Sequence, residues 1–440
     1  MPDKIALTQK FFTTYGGFNM HNLKDDMRSI LDGAIKAVLP ENAVKEALNN
    51  PAFTSRKGKG RLIVASIGKA AWRMAKAASD ILGSSITGAV VTKYDHSMGE
   101  IAGLEIFEAG HPVPDMNTIN GTKALLEHVK GLNAEDTVLF LVSGGGSALF
   151  EFPAEGVTLE DMQDVTRQLL SCGAEIVEIN TIRKHLSSVK GGRFAELCAP
   201  AHVFMVVLSD VLGDRLDSIA SGPAAPDMST SEEALAIVKK YNLKLKPELL
   251  EKLSHETPKK LDNVTATITG SVTELCKAVS ILAKEKGYSP VILTTTLTCE
   301  AREAGSFMAG IAREVLTSGN PAKSPCALIA GGETVVHLTG KGMGGRNQEL
   351  ALSAAEGIAG LEGVVVASLG SDGTDGPTDA AGGIVDGKTA GILKEKGISI
   401  PEVLRNNDAY NALKEADALL MTGPTGTNVN DVSVVLVGSV

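Results

Sequence analysis

Short runs of apolar residues recur along the first half of the chain, and most of them end in a loop that contains glycine or serine. The runs cover residues 61–67, 86–92, 104–108, 137–142 and 203–208. An alanine-rich stretch with helical spacing follows the first run and ends near Leu82. Buried strands that alternate with helices are typical of a parallel sheet with right-handed crossovers. The pattern therefore predicts an α/β domain that binds its ligands beyond the carboxyl ends of the strands.

The N-terminal part of the chain has a different pattern. The first 20 residues are polar and mixed in charge, and we expect them to form an extension. Residues 23–48 then carry apolar side chains at helical spacing, among them Ile30, Leu31 and Ala34. Pro40 is expected to interrupt this helix, because proline lacks the N–H that a helix interior needs.

A second alternating series follows a lysine-rich segment, residues 241–262, that is punctuated by prolines. Its predicted strands cover residues 266–269, 291–295, 327–330, 334–338, 364–369 and 432–437, with helices that end near Lys286 and run from about Glu300 to Thr317. We therefore predict an α/β fold with two domains, a Rossmann-like domain over 21–262 and a second α/β domain over 263–440. Each is expected to contain a mostly parallel sheet flanked by helices.

Composition and charge narrow the class of protein. A chain of 440 residues is too long for one ordinary core, and its low aromatic content of 4% suits a core of Ala, Val, Leu and Ile. The net charge of −10 disfavours a nucleic-acid backbone or an anionic membrane as partner. An anionic substrate would therefore need a local cationic pocket.

Targeting and redox signals are absent from the sequence. The N-terminus lacks the apolar core of a signal peptide, and no apolar run reaches the roughly 20 residues that span a bilayer. The five cysteines form no CxxC pair, which disfavours both a disulfide framework and a zinc site. These features predict a cytoplasmic location.

The glycine-rich turn after the predicted strand 137–142 is a candidate for anion binding. Ser143, Gly144, Gly145, Gly146 and Ser147 follow a buried strand. Three glycines let the backbone approach a ligand, and a helix that starts there would direct N–H groups towards an anion. The alternative is a tight turn without a ligand.

Charged side chains mark further loops of the first half. Lys69 lies in an Ile-Gly-Lys-Ala turn, where a cation in the first helical turn is unfavourable unless it serves an anion; the alternative is a surface lysine. Residues 180–193 predict a cationic helix, or alternatively a solvated face. Asp210 and Asp214 follow another buried strand, and carboxylates at a strand end suit a divalent metal or a general base. Ordinary turn chemistry is the alternative for them.

The second half contains two glycine-rich clusters. Glu333 follows two glycines, and Arg346 begins a predicted helix after the glycines of residues 340–345, where its guanidinium suits a phosphate or a carboxylate. Asp372, Thr374, Asp375 and Asp379 belong to an acid-rich loop after a buried strand. Such a loop suits Mg²⁺ or the hydroxyls and phosphates of a nucleotide, and an exposed turn is the alternative.

Together these loops resemble the class II glycerate kinases, whose C-terminal part is called the MOFRL domain. The matching segments are SIGKAA, GHPVPD, LVSGGGSALF, NTIRKHLSSVKGGR, LSDVLGD, ASGP, AGGETVVHLTGKGMGGRNQELAL, SDGTDGPTDAAGG and TGPTGTNVNDV. The resemblance implies two domains with the active site in the cleft between them. It also implies phosphorylation of D-glycerate by ATP at the 2-hydroxyl, with a divalent metal such as Mg²⁺. The positions that match the family's key charged groups are Lys69, Asp210 and Arg346.

The resemblance leads to a set of expected roles. Lys69, Asp210 and Arg346 are expected to be catalytic, with Asp210 and Asp214 as metal ligands. The residues expected to bind the nucleotide or its phosphates are Ser143, Gly144, Gly145, Gly146, Ser147, Glu333, Asp372, Thr374, Asp375 and Asp379.

Two other functions remain open at this level. An NAD(P)H-dependent hydroxypyruvate reductase would use the weak GxGxxG match of Gly340, Gly342 and Gly345 with Asp372. A sugar-acid sensor without catalysis would leave the acid-rich loop unused. The sequence does not distinguish a monomer from a homodimer.

Overall fold

The computed structural model describes residues 23–83 and 85–439, in which twelve strands form two six-stranded sheets. The strands are β1 Leu62–Ile67, β2 Thr87–Lys93, β3 Leu104–Ala109, β4 Thr137–Val142, β5 His202–Leu208, β6 Val264–Gly270, β7 Ser289–Leu297, β8 Cys326–Gly332, β9 Val364–Gly370, β10 Gly382–Asp386, β11 Leu419–Leu420 and β12 Asp431–Val437.

Helices surround both sheets within the described residues. They are α1 Leu23–Ala37, α2 Pro40–Leu48, α3 Pro51–Thr54, α4 Ala71–Leu82, α5 Met116–His128, α6 Gly146–Leu149, α7 Leu159–Ser171, α8 Ile176–Leu186, α9 Arg193–Cys198, α10 Ser231–Lys240, α11 Pro247–Leu253, α12 Val272–Glu285, α13 Ala301–Ser318, α14 Arg346–Gly357, α15 Thr389–Glu395, α16 Ile400–Arg405 and α17 Ala409–Glu415.

The first sheet is wholly parallel, in the order β3-β2-β1-β4-β5-β6. Ile67 at the end of β1 pairs with Val142 at the end of β4, and Val142 pairs with Val207 of β5. Because these strands end in register, the loops that follow β1, β4 and β5 begin at the same edge of the sheet. This register brings the predicted turns of the first domain together.

The second sheet has the order β11-β10-β9-β12-β8-β7 and mixes strand directions. Four strands, β7, β8, β9 and β11, point the same way, but only the β7–β8 ladder is parallel and the other four ladders are antiparallel. The prediction of parallel pairing therefore fails for most of this sheet. The reason is topological, since β12 lies reversed between β8 and β9, and β10 follows β9 without a crossover helix.

Sheet membership places the division between domains differently from the prediction. β6 is the parallel edge strand next to β5, so the first sheet continues to Gly270, past the predicted boundary at 262. α1 packs its buried Met27 and Ile30 on the second sheet, with Ala327 and Ala367. The second domain thus contains residues 23–37 as well as the residues after Gly270. The predicted extension, residues 1–20, lies outside the described residues.

One local prediction is confirmed and another is wrong. Pro40 separates α1 from α2 and occupies the first position of α2, where its missing N–H costs nothing. Residues 334–338 do not form a strand; Val335 makes only an isolated bridge to Glu300. The short strands β10 and β11 were not predicted, because two-residue and glycine-led strands carry little pattern.

The cores are aliphatic, as the composition predicts. Val, Ile, Leu and Ala cover both faces of each sheet. Phe140, Phe150 and Phe194 form one cluster of tilted and edge-to-face rings in the first domain, with centroids 4.7–5.9 Å apart. All five cysteines are free thiols. In the described parts of the chain, no helix has the length and apolarity needed to cross a membrane.

Candidate active site

The turns after β1 and β4 are locked together at the edge of the first sheet. The N–H of Ala70 donates to Oγ of Ser143 at 3.0 Å, and the N–H of Lys69 donates to the carbonyl of Gly144 at 2.9 Å. Gly68 has a φ of +111°, and a Cβ there would lie 2.4 Å from the Ser143 carbonyl oxygen. Glycine is therefore required where Gly68 approaches Ser143. This contact fixes Lys69 beside the turn of Ser143 to Ser147.

The turn of Ser143 to Ser147 carries unused N–H groups. The N–H groups of Gly144 and Gly145 donate to no acceptor among the described residues, and both glycines are partly exposed. The serine hydroxyls are already engaged, since Oγ of Ser143 donates to the Ile67 carbonyl at 3.2 Å and Oγ of Ser147 lies 2.9 Å from Oγ of Ser221. The serines position the turn, and the glycine N–H groups are left for an anion.

Asp210 lies directly against this turn. A Cβ at Gly144 would lie 2.3 Å from Oδ2 of Asp210. Burial raises the pKa of the Asp210 carboxyl, while the charge of Lys69 partly opposes this shift. A carboxylate of raised basicity beside a turn with available N–H groups suits a general base.

His111 is a neighbour of the site that the sequence analysis did not single out. A Cβ at Gly145 would lie 3.0 Å from the His111 ring and 3.3 Å from Cε of Lys69. Burial lowers the pKa of His111, and the charges of Lys69 and Lys93 lower it further. The motif Gly110-His111-Pro112 at the end of β3 was the available signal for this residue.

Two cationic side chains, Lys190 and Arg183, donate to the carbonyl at the end of the same turn. Nζ of Lys190, which is fully buried, donates to the carbonyls of Ser147 at 2.9 Å and Phe150 at 2.5 Å and pairs with Glu151 at 3.1 Å. Burial lowers the pKa of Lys190 to about 8. Arg183 donates to the Ser147 carbonyl at 2.7 Å. The basic stretch of 180–193 is not one helix, because α8 ends at Leu186 and α9 begins at Arg193. It is not a solvated face either, because the side chains of Arg183 and Lys190 turn inward.

Asp214 stands apart from this arrangement. It lies in the turn after Asp210 with a φ of +53°, and its buried Oδ1 has no hydrogen-bond partner among the described residues. Within the described ranges, no three His, Cys, Asp or Glu side chains are grouped so that they would hold a metal ion. The carboxylates present suit Mg²⁺ that arrives on nucleotide phosphates, because Mg²⁺ keeps most of its waters and takes one or two carboxylates.

Arg346 begins α14, as predicted, and its guanidinium is held by two carboxylates. Nε and Nη2 donate to Asp431 at 2.5 and 3.0 Å, and Nη1 lies 3.2 Å from Glu333. Burial opposes the charge of the guanidinium, but the hydrogen bonds and charge of Asp431, together with Glu333, raise the pKa of Arg346. The fork is thereby fixed in orientation while about a third of the side chain stays exposed.

Asp375 has a structural role that the sequence did not reveal. Its buried carboxylate accepts hydrogen bonds from the N–H groups of Asn347 at 3.2 Å and Gln348 at 2.9 Å. Burial raises the pKa of Asp375 to about 6, although these hydrogen bonds favour its charged form. Asp375 thus fills the N-terminus of α14, the position that an anionic ligand would otherwise take.

The remaining acid-loop candidates are differently engaged. Oδ1 of Asp372 accepts from the N–H of Thr374 at 3.1 Å, and Thr374 is exposed. Oδ1 of Asp379 accepts from the hydroxyl of Tyr410 at 2.8 Å. Both hydrogen bonds shape the loop, and none of the three side chains contacts Lys69, Asp210 or Arg346.

The loops of the two domains meet at the start of β12. Nδ2 of Asn430 donates to the Asp210 carbonyl at 3.1 Å, and the next residue, Asp431, pairs with Arg346. One line of contacts therefore joins Lys69, Asp210 and Arg346 through the glycine turn and residues 430–431. Asn430 and Asp431 were not predicted individually; the polar segment before the last strand was their only signal.

Two family models and several known proteins match this chain. Residues 26–254 match a domain described as of unknown function, DUF4147, and residues 326–431 match the MOFRL family. A D-glycerate 2-kinase of Thermotoga maritima is 57% identical over 96% of this chain and 100% of its own. A relative from Agrobacterium vitis with the provisional name hydroxypyruvate reductase is 40% identical over 86% of this chain and 100% of its own. The crystal structure of a glycerate kinase from Thermotoga maritima superposes with a TM-score of 0.90 at 58% identity, covering 94% and 99% of the two chains.

Proposed function

This chain belongs to the class II glycerate 2-kinase family, and we propose that it transfers the γ-phosphoryl group of ATP to the 2-hydroxyl of D-glycerate. The observation that carries the proposal is the line of contacts from Lys69 through Gly144 and Asp210 to Arg346. It combines a carboxylate base, free N–H groups and two cations around one edge. The substrates are small molecules, and we place the enzyme in the cytoplasm.

The chemical step balances with these groups. The 2-hydroxyl oxygen of glycerate forms a bond to the γ-phosphorus, and the bond from that phosphorus to the oxygen bridging to the β-phosphate breaks. The electron pair leaves on ADP, and the hydroxyl proton passes to a carboxylate oxygen of Asp210. The raised pKa of Asp210 favours this acceptance, because a stronger base gains more from the proton.

Charge stabilisation comes from both sides of the proposed cleft. Lys69 and the N–H groups of Gly144 and Gly145 are proposed to bind phosphate oxygens. They lie next to one another, in the turns that follow β1 and β4. Arg346 is assigned to the substrate carboxylate or to the transferred group. Phosphoryl transfer depends mainly on positioning and charge neutralisation, so these contacts account for most of the expected rate.

A divalent cation, Mg²⁺ in the simplest case, supplies further neutralisation of phosphate charge when it is bound with ATP. Asp210 and Asp214 are the carboxylates proposed to hold it. Glu333, Asp372, Thr374 and Asp379 are proposed to contact the nucleotide from the second domain. Asp375 supports this loop by capping α14 rather than by touching the ligand.

The reductase alternative conflicts with the surroundings of its glycines. Cβ atoms at Gly340 and Gly342 would lie 2.2 Å and 2.4 Å from Asn406 and Asp408, so these glycines serve internal packing. The helix N-terminus that would receive a dinucleotide pyrophosphate is filled by Asp375. The glycine pattern therefore gives no support for NAD(P)H binding.

One pair of assays tests the proposal. Purified protein is mixed with Mg·ATP and D-glycerate, ADP release is followed, and the phosphorylated isomer is identified. In parallel, NADH oxidation is followed with hydroxypyruvate. We expect ADP release with 2-phosphoglycerate as product and no NADH oxidation; NADH oxidation without ADP release would overturn the assignment.

A further inference from the structure

A second concave site lies on the first domain, among α8, α9 and α11. It is a cavity of about 320 Å³, a size that suits a small molecule. Its lining includes His185, Ser188, Arg193, Glu196, Lys252 and His255. None of these residues belongs to the edge that carries Lys69, Asp210 and Arg346.

The lining is cationic in a chain whose net charge is −10. Arg193 and Lys252 share the lining with a single carboxylate, Glu196. Within the described ranges, the side chains of Lys252 and His255 make no hydrogen bond or ion pair. Cations that serve no protein partner in a concave surface are available to an anion.

His185 contributes a buried ring nitrogen that has no hydrogen-bond partner among the described residues. Its side chain is only 1% exposed, and its Nδ1 lies 2.9 Å from the Thr181 carbonyl, so Nδ1 carries the proton and donates it. In this tautomer Nε2 is an acceptor, and it has no partner among the described residues. A buried acceptor without a donor is costly, and a hydroxyl group would satisfy it.

We propose that this cavity is a second ligand site, which binds small anions that also carry a hydroxyl, such as hydroxy acids. The anionic group pairs with Lys252, His255 and the free edge of the Arg193 guanidinium, and the hydroxyl donates to Nε2 of His185. The ligand class follows from the lining and does not rest on the proposed kinase activity.

The cavity adjoins the segment of chain that supports the Ser143–Ser147 turn. Nη1 of Arg193 donates to the carbonyls of Lys184 and, at 3.0 Å, Ser187. The segment that it closes, residues 183–193, is the one from which Arg183 and Lys190 hold the Ser143–Ser147 turn. The same short segment therefore contributes side chains both to the cavity and to the support of the Ser143–Ser147 turn.

Equilibrium dialysis with labelled D-glycerate tests the proposal on the full chain. The number of bound molecules per chain is measured in the wild type, in the double variant Lys252→Ala/His255→Ala and in the control Lys239→Ala. Lys239 is an exposed lysine of α10 whose side chain has no partner in the described part of the chain. We expect the double variant to lose one binding site and the control to lose none.

The outcomes separate this inference from the proposed kinase. Loss of one site in the double variant supports the cavity even if the wild type binds only that one molecule, as it would if the catalytic assignment failed. An equal number of sites in both proteins, including none in either, overturns it. Propionate, which lacks the hydroxyl, should compete at this site at least tenfold more weakly than D-glycerate; equal competition overturns the assignment to hydroxylated anions. Thermal melting of the double variant checks that it is folded.

Discussion

Two glycine-rich turns of the molecule, Ser143–Ser147 and residues 340–345, have different arrangements around their N–H groups. In the Ser143–Ser147 turn, the N–H groups of Gly144 and Gly145 have no acceptor among the described residues, and Lys190 and Arg183 donate to the Ser147 carbonyl. The turn before α14 has its N-terminus filled by Asp375 and offers a ligand only the guanidinium of Arg346. One turn offers its backbone N–H groups to a ligand and the other presents a side chain.

The difference shows what a glycine pattern means physically. Glycine at Gly345 leaves room for a protein carboxylate, since a Cβ there would lie 2.3 Å from Cγ of Asp375. Glycine at Gly144 leaves room for Asp210, and the N–H groups beside it stay unpaired. The same residue type therefore indicates close approach, and the identity of the approaching group decides whether a ligand site results.

The strongest test of the comparison removes the side chain that the second turn presents. Arg346→Ala should lower kcat/KM about 10³-fold, because one positioned cation on a transferred phosphoryl group contributes on that scale. The matched control is Arg405→Ala, which removes an exposed arginine of the same domain and should leave the rate unchanged. A near-normal rate in folded Arg346→Ala would remove Arg346 from the site.

The support beneath the first turn should affect stability. Lys190→Met removes the lysine that lies 3.1 Å from the buried Glu151 and leaves this carboxylate with the more distant Arg183, at 4.0 Å. We expect the free energy of unfolding to fall by about 3 kcal/mol. The double variant Lys190→Met/Glu151→Gln should recover most of this loss, as measured by urea denaturation. Lys130→Met, which breaks an exposed ion pair, should cost less than about 1 kcal/mol. Equal losses for Lys190→Met and Lys130→Met would contradict a buried pair at this position.

The backbone role of the first turn is tested by a single methyl group. Gly144→Ala should lower kcat/KM about 100-fold, since the new Cβ displaces Asp210 and a misplaced catalytic group costs about that factor. Gly391→Ala in α15 adds a methyl group in open space and should stabilise the protein by up to about 1 kcal/mol without changing the rate. Full activity of Gly144→Ala would show that Asp210 is not held where the geometry places it.

The buried carboxyl of Asp375, which caps α14, should make the stability of the protein depend on pH. The pKa of Asp375 is about 6 in the folded protein and lies above its unfolded value, so its favourable contribution is present at low pH and is lost as pH rises through about 6. Over pH 4 to 6.5 the loss should be on the order of 2 kcal/mol. Asp375→Asn should flatten this part of the curve of unfolding free energy against pH, whereas Asp379→Asn, at an exposed carboxylate, should not.

The sequence predicted those parts of the fold that depend on local pattern. The strands that end at Ile67, Val142 and Leu208 lie within one or two residues of their predicted bounds, because each is a buried apolar run followed by a turn. The break at Pro40 follows from one residue's missing N–H. Lys69, Gly144 and Asp210 meet because parallel strands in register place their ends together.

Properties that depend on distant partners were not predictable in this way. The apolar run of β6 does not reveal which sheet it joins, and a reversed β12 has the same composition as a parallel strand. Asp375 has the same Asp-Gly context as Asp372, yet only Asp375 is buried under a helix. Lys190 is basic in sequence and fully buried in the fold because Glu151 and two carbonyls converge on it.

The placement of α1 on the second sheet has a consequence for the order of synthesis. The first domain, from α2 to β6, is complete once Gly270 has left the ribosome, because all six strands of its sheet have then been made. α1 is made earlier than any of it, but its partners in α12, β8 and β9 are made much later. During translation the apolar face of α1 therefore has to wait for these partners while some 230 residues are made, and this exposure favours binding by chaperones.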